Sequence, residues 1–166
     1  YEKVCLCYPA TADAPNGMIR SFNTEAELLL GFRDYINESD IDIMTGWNIF
    51  GFDLDYIWSR AKRKGGEFLR KFACMGKNIG QSAYPINKKL SSSALGDNYL
   101  KMLRIPGIFI FDLFQEVKRE YKLDSYSLNF VSETYLGSKK IDMPIKTMFS
   151  IFASGDPVEL SKVAEY

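Results

Sequence analysis

The run Gly46-Trp47-Asn48-Ile49-Phe50-Gly51-Phe52-Asp53 constrains the fold more than any other part of this chain. Ile41 to Trp47 reads as a strand, and Phe52 to Lys64 reads as a helix whose apolar side is Leu54, Ile57, Trp58 and Ala61. Few residues join the two, so a strand passes almost directly into a helix, the unit from which α/β layers are built. In open α/β sheets ligands gather where strands hand over to helices. Asp53 stands at such a handover, where its carboxylate is placed to hold a divalent metal against a phosphate. A first-turn acid also interacts favourably with the helix dipole without any ligand, and the residues alone leave both readings open.

The other elements follow from caps and periodicity. Lys3 to Tyr8 reads as a strand, Asp13 to Gly17 as a turn and Met18 to Phe22 as a short second strand. Thr24 caps a helix with Glu27 at capping-box spacing, and Leu28, Leu29, Phe32, Tyr35 and Ile36 form its stripe. Gly65-Gly66 ends the helix that begins near Asp53. Residues 73–106 are the least periodic and read as loops with a short hairpin. Ile108 to Phe111 is all apolar, as expected of a central strand covered on both faces. Asp112 opens a helix to Tyr121 and reads as its N-cap. Further helices run from Tyr126 to Leu136, from Pro144 to Gly155, and from Asp156-Pro157 to the end at Tyr166. The expected fold class is α/β, with a mixed sheet if the first strands are antiparallel.

A chain of 166 residues buries one sizeable core, so a single domain is expected. Twenty-one Lys and Arg balance 21 Asp and Glu, which argues against a strongly basic domain that coats duplexes. Two local basic stretches remain, one with Lys62, Arg63, Lys64, Arg70, Lys71 and Lys77, the other with Lys88, Lys89, Lys101 and Arg104. Each reads equally well as a solvated surface. The absence of histidine removes Ser-His and Cys-His nucleophilic chemistry and histidine-ligated zinc. Three cysteines (Cys5, Cys7, Cys74) fit neither a zinc site nor a disulfide framework and point to a reduced, intracellular setting. No apolar run is long enough for a membrane span and the start is not a signal peptide. A strand-like first run and a stop inside a helix suggest a piece of a longer chain.

Asp40 to Ile57 resembles the second exonuclease motif of B-family DNA polymerases, most of all the delta-type enzymes of eukaryotes and large DNA viruses. Ser91-Ser92-Ser93-Ala94-Leu95-Gly96 followed by Pro106 to Leu113, then Gln115 to Asn129, and its continuation Val131 to Asp142 resemble the same family in the same order. The resemblance implies a 3′–5′ proofreading exonuclease domain with an RNase H-like fold, a mixed sheet and flanking helices. Four carboxylates of that family hold two Mg²⁺ or Mn²⁺ ions. Asp53 matches the metal-binding acid of the second motif, and Asn48 and Phe52 match positions lining the pocket for the 3′-terminal nucleotide. Ser127-Leu128-x-x-Val131 matches a motif that contacts single-stranded DNA, although Leu128 and Val131 are also ordinary stripe residues. Lys140-Ile141-Asp142-Met143 matches one whose lysine approaches the scissile phosphate, and a loop lysine is the simpler alternative. Tyr166 matches the tyrosine that opens the third motif and helps to place the attacking water.

By the same resemblance the first motif's Asp-x-Glu lies before Tyr1 and the third motif's aspartate lies beyond Tyr166. Residues 1–166 are thus expected to be one partial domain, lacking the central first-motif strand and inactive by itself. Asp55 reads as a surface charge. The implied partners are the single-stranded 3′ end of a primer, the rest of a polymerase chain and, through that parent chain, a sliding clamp. The implied place is the nucleus or a viral replication site. A catalytically inactive module of this fold that only cradles single-stranded DNA or supports a polymerase, and a free-standing nuclease, remain alternatives.

Overall fold

Thr24, Asp112 and Asp156, the caps expected from sequence, each accept a backbone N–H in the first turn of a helix. A computed structural model describes residues 2–12, 18–92, 96–139 and 142–166. Its elements in chain order are β1 Val4–Cys7, β2 Met18–Ser21, α1 Glu25–Glu38, β3 Ile43–Gly46, α2 Asp53–Arg63, α3 Gly66–Ala73, β4 Tyr84–Ser92, β5 Gly96–Arg104, β6 Phe109–Asp112, α4 Leu113–Glu120, α5 Leu128–Leu136, α6 Ile145–Ser154 and α7 Pro157–Glu165. The turn expected at Asp13 to Gly17 lies outside the described residues. The described residues group into two compact units, Tyr1–Phe32 with Lys139–Tyr166, and Arg33–Ser138. None of the described helices is long and apolar enough to cross a membrane.

In the first unit the capping box before α1 is formed in both directions. Glu27 N–H donates to Thr24 Oγ1 at 3.1 Å, and Thr24 N–H donates to Glu27 Oε2 at 3.2 Å. Asp156 caps α7 by accepting from Val158 N–H at 2.8 Å, with Pro157 at the first helical position where no donor is missed. Leu29, Ile151 and Leu160 are buried. β1 and β2 pair in parallel, with Cys5 opposite Ile19 and Cys7 opposite Ser21, which corrects the antiparallel arrangement on which the mixed sheet depended. Cys5 and Cys7, two residues apart on one strand face, bring their Sγ atoms to 3.3 Å. Burial, and then Cys5, push the Cys7 thiol up to about 12.

In the second unit β3 and β6 form a parallel pair from Ile43 opposite Phe109 to Gly46 opposite Asp112. The strands of the described residues pair only two at a time, in three separate sheets, so the single mixed sheet is not formed among them. The physical reason is visible on β6. It was expected to be covered on both faces, yet Phe109 is 67% exposed and its neighbour Ile43 is 58% exposed. The apolar run of β6 is written for a deeper sheet than the described strands supply.

Residues 73–106 differ more. Gly65, at φ 108°, starts α3 as well as ending α2. β4 and β5 then form a nine-residue antiparallel hairpin, from Tyr84 opposite Arg104 to Ser92 opposite Gly96. Polar residues fall on both of its faces, so the alternation that marks a half-buried strand is lost. The core of this unit contains Leu54 and Ala61 of α2, Phe72 of α3, Met75, Leu103 and Ile105. Trp58 meets Phe72 with ring centroids 6.0 Å apart.

A pair of four-residue strands with large apolar side chains in water is marginal by itself. The 166-residue chain alone should therefore unfold broadly in urea, with a stability below about 5 kcal/mol, the low end for natural domains. Fluorescence of Trp47 and Trp58, both in the second unit, reports it. A sharp transition extrapolating to about 10 kcal/mol would contradict this.

Candidate functional site

The site is built at the carboxyl ends of β3 and β6. β3 stops at Gly46 and α2 starts at Asp53, and the six residues between them are held by one buried carboxylate. Asp112, the last residue of β6, is 2% exposed. Its Oδ1 accepts from Asn48 N–H at 2.7 Å and from Phe114 N–H at 3.0 Å, and its Oδ2 accepts from Phe50 N–H at 3.0 Å. It is the N-cap of α4, as its position suggested, and it is also a clamp on the β3–α2 turn. Charge-assisted bonds of this kind are the strong ones, and a buried carboxylate needs them.

The clamp fixes a turn with special backbone geometry. Asn48 has φ 58°, in the left-handed region where Asn is tolerated better than most residues. Its Oδ1 lies over the backbone of Gly51, where an added Cβ would approach it to 2.3 Å and the Asn48 amide would have to move. Gly51 N–H donates back to Asn48 C=O at 3.0 Å, and Leu54 N–H to Ile49 C=O at 3.2 Å. Asn48 thus serves the shape of the turn and lies half-buried within it. Lys101 N–H on β5 donates to Phe50 C=O at 3.3 Å, which ties the hairpin to the same turn.

Asp53 is the first residue of α2, and its side chain is exposed. Phe52 occupies the N-cap position without a side-chain cap and is 63% exposed. Tyr56 N–H donates to Phe52 C=O at 2.9 Å, closing the first turn, and the two rings stack 5.8 Å apart and 6° from parallel. Asp55, read from sequence as a surface charge, is ion-paired with Lys101 Nζ at 3.0 Å. Asp53 therefore presents an outward carboxylate at the tip of a rigidly clamped strand, which fits one ligand of an oxygen-coordinated cation. Asp112 is unsuited to that role because its oxygens are committed to backbone donors. Among the described residues no three or more Cys, Asp and Glu side chains gather into a metal cluster.

Ser127 and Leu128 belong to the same unit as Asp53. Ser127 is the N-cap of α5, its Oγ accepting from Phe130 N–H at 3.2 Å. Leu128 lines a cavity of about 390 Å³ together with Trp47, Leu113, Val117 and Val131. The structure thus brings Leu128 and the end of β3 to one groove. Trp47 also packs edge-on against Phe114, with centroids 5.7 Å apart. Tyr166 lies at the end of α7 in the other unit, where its N–H donates to Lys162 C=O at 3.1 Å. Lys140 lies outside the described residues.

Of the basic stretches, the first is partly neutralised. Lys77 bridges Asp40 at 2.9 Å and Asp42 at 2.7 Å, and these bonds, with Asp42 first, raise its affinity for its proton. Lys71 pairs with Glu67 at 3.2 Å. In the second stretch Lys89 sits over the exposed ring of Tyr99, 5.7 Å from its centroid. Sequence reasoning missed the clamp of Asp112 on the turn, since its partner Asn48 is 64 residues away. It also missed Tyr56, for which the spacing of four residues from Phe52 was the available signal.

A family model for the exonuclease domain of DNA polymerase family B matches residues 6–131. The chain is 36% identical over 146 residues to DNA polymerase 037L of Invertebrate iridescent virus 6, covering 88% of this chain and 11% of that one. It is 32% identical over 159 residues to the DNA polymerase of Paramecium bursaria Chlorella virus NY2A, covering 93% and 17%. It is 39% identical over 125 residues to the DNA polymerase delta catalytic subunit of Arabidopsis thaliana, covering 75% and 11%. The chain therefore spans less than a fifth of the length of these relatives.

Replacing Asp112 by Ala strands three backbone donors and should cost about 3 kcal/mol, whereas Asp112→Asn keeps an acceptor and should cost less. Urea denaturation of the two variants measures this. A loss of under about 0.5 kcal/mol for Asp112→Ala, the size of an ordinary surface change, would contradict the clamp.

Proposed function

We propose a function from one premise: this chain belongs to the exonuclease domains of the family B DNA polymerases. It is part of the proofreading 3′–5′ exonuclease domain of a DNA-directed DNA polymerase, acting on the frayed single-stranded 3′ end of a primer and releasing terminal nucleotides. Residues 1–166 are a partial domain with an RNase H-like fold. The rest of the polymerase chain supplies the further carboxylates, so the segment alone is inactive. Replication in the nucleus or at a viral replication site is its setting, with a sliding clamp reached through the parent chain.

The observation that carries this reading is the exposed Asp53 carboxylate beside the exposed Phe52 ring, on a turn held by the buried Asp112. Asp53 fits one ligand of the two Mg²⁺ or Mn²⁺ ions that the family implies. When bound, such ions lower the pKa of a water and steady the charge on phosphate oxygens. The chain's own residues orient the substrate. Phe52 offers a ring to the terminal base, and a ring serves every base because each has a π-face. Asn48 shapes the floor of the pocket through its left-handed turn. Leu128 lines the groove that begins at Trp47, along which the single strand runs, and Ser127 precedes Leu128 as the cap of α5. By the resemblance of their motifs alone, Lys140 is assigned the role of a cation at the scissile phosphate and Tyr166 that of orienting the attacking water.

Asp53→Ala in the full polymerase chain should slow removal of a mismatched 3′ nucleotide by about 1,000-fold or more, while primer extension stays within about twofold. Trimming and extension of one labelled primer measure both. Trimming at the unsubstituted rate would refute the role of Asp53, and loss of both activities would point to a folding defect instead.

A further inference from the structure

Phe52 and Tyr56 lie one turn apart at the start of α2, and both face solvent, Phe52 at 63% and Tyr56 at 54% exposure. At 100° per residue the two side chains fall within about 40° of one another around the helix axis. Asp53 flanks them on one side and Asp55 on the other, while Leu54 and Ala61 anchor the opposite side in the core. Their rings are parallel to within 6° at a centroid distance of 5.8 Å, the arrangement of an offset stack. Such a pair helps an isolated helix, but that role does not require both rings to stay open to water.

Charge beside the pair is partly offset. Asp55 alone would repel a phosphate backbone, but Lys101 Nζ holds it at 3.0 Å from the adjoining hairpin. The hairpin is fixed there by the bond from Lys101 N–H to Phe50 C=O. On that flank the rings therefore meet an ion pair in place of a bare carboxylate. On the other flank Asp53 stands outward.

We infer that Tyr56 is a base-binding residue, its ring extending Phe52 into a two-ring platform for a base at the single-stranded 3′ end. The inference rests on the exonuclease reading of this site and adds a contact that sets how firmly the strand is held. Because the platform uses π-faces and no base edge, it accepts all four bases.

The test uses the full polymerase chain and an oligonucleotide with 2-aminopurine, whose fluorescence falls on stacking, at the 3′ terminus. Tyr56→Leu keeps bulk and removes the ring. It should raise KM for trimming single-stranded DNA about tenfold, leave kcat within about twofold and weaken, without abolishing, the quenching expected in the absence of divalent metal. Tyr56→Phe should restore both KM and quenching. Unchanged KM and quenching in Tyr56→Leu would overturn the platform, and so would a fall in kcat alone, which marks a structural role. Asp53→Ala separates the two claims. It should lose trimming yet keep the quenching, whereas normal trimming by Asp53→Ala would sink the catalytic reading and leave the quenching assay to decide the platform.

Discussion

One carboxylate, that of Asp112, determines whether the rest of the site can exist. A turn that leaves a strand and enters a helix within six residues points several backbone N–H groups inward. Buried donors of that kind must be paired. Asp112 accepts from Asn48, Phe50 and Phe114 from a position at the end of the neighbouring strand. The parallel register of β3 and β6 puts Gly46 opposite Asp112 and thereby sets the acceptor beside the donors. The same bonds start α4. Strand pairing, turn shape and two helix starts are thus one cooperative arrangement.

From this clamp the outward features follow. Asn48 adopts its left-handed conformation over Gly51, the chain turns, and α2 begins with Phe52 and Asp53 in the open. Leu54 and Ala61 seat the helix in the core, so its exposed edge has a fixed rotation. The hairpin adds Lys101, whose backbone holds the turn and whose ammonium offsets Asp55. The outward carboxylate is favoured by the dipole of α2, and the stacked rings left open to water beside it are the feature that points to binding.

Much of this was legible in the residues. Thr24 with Glu27, and Asp156 with Pro157, carry local signals, and each forms the cap that its spacing implies. The handover at Asp53 was legible for the same reason, since strand and helix periods change within one short run. What escaped was long-range or unpatterned. Asp112 looked like a simple cap because its bonds to Asn48 and Phe50 cross more than 60 residues. The hairpin of β4 and β5 lacks a two-residue alternation in its sequence, and α3 hides behind a glycine pair that both ends and begins a helix. The apolar run of β6 promised two covered faces, while Phe109 lies in solvent. Four-residue strands take their surroundings from neighbours, and no local pattern reports those.

Anomalous diffraction from Mn²⁺ in crystals of the full polymerase, with single-stranded DNA in the exonuclease site, decides whether Asp53 holds a catalytic ion. A manganese peak at about 2.1 Å from an Asp53 carboxylate oxygen, beside a 3′-terminal base stacked on Phe52, is the expected result. Manganese bound near the 3′ phosphate with Asp53 pointing away from it would contradict the account.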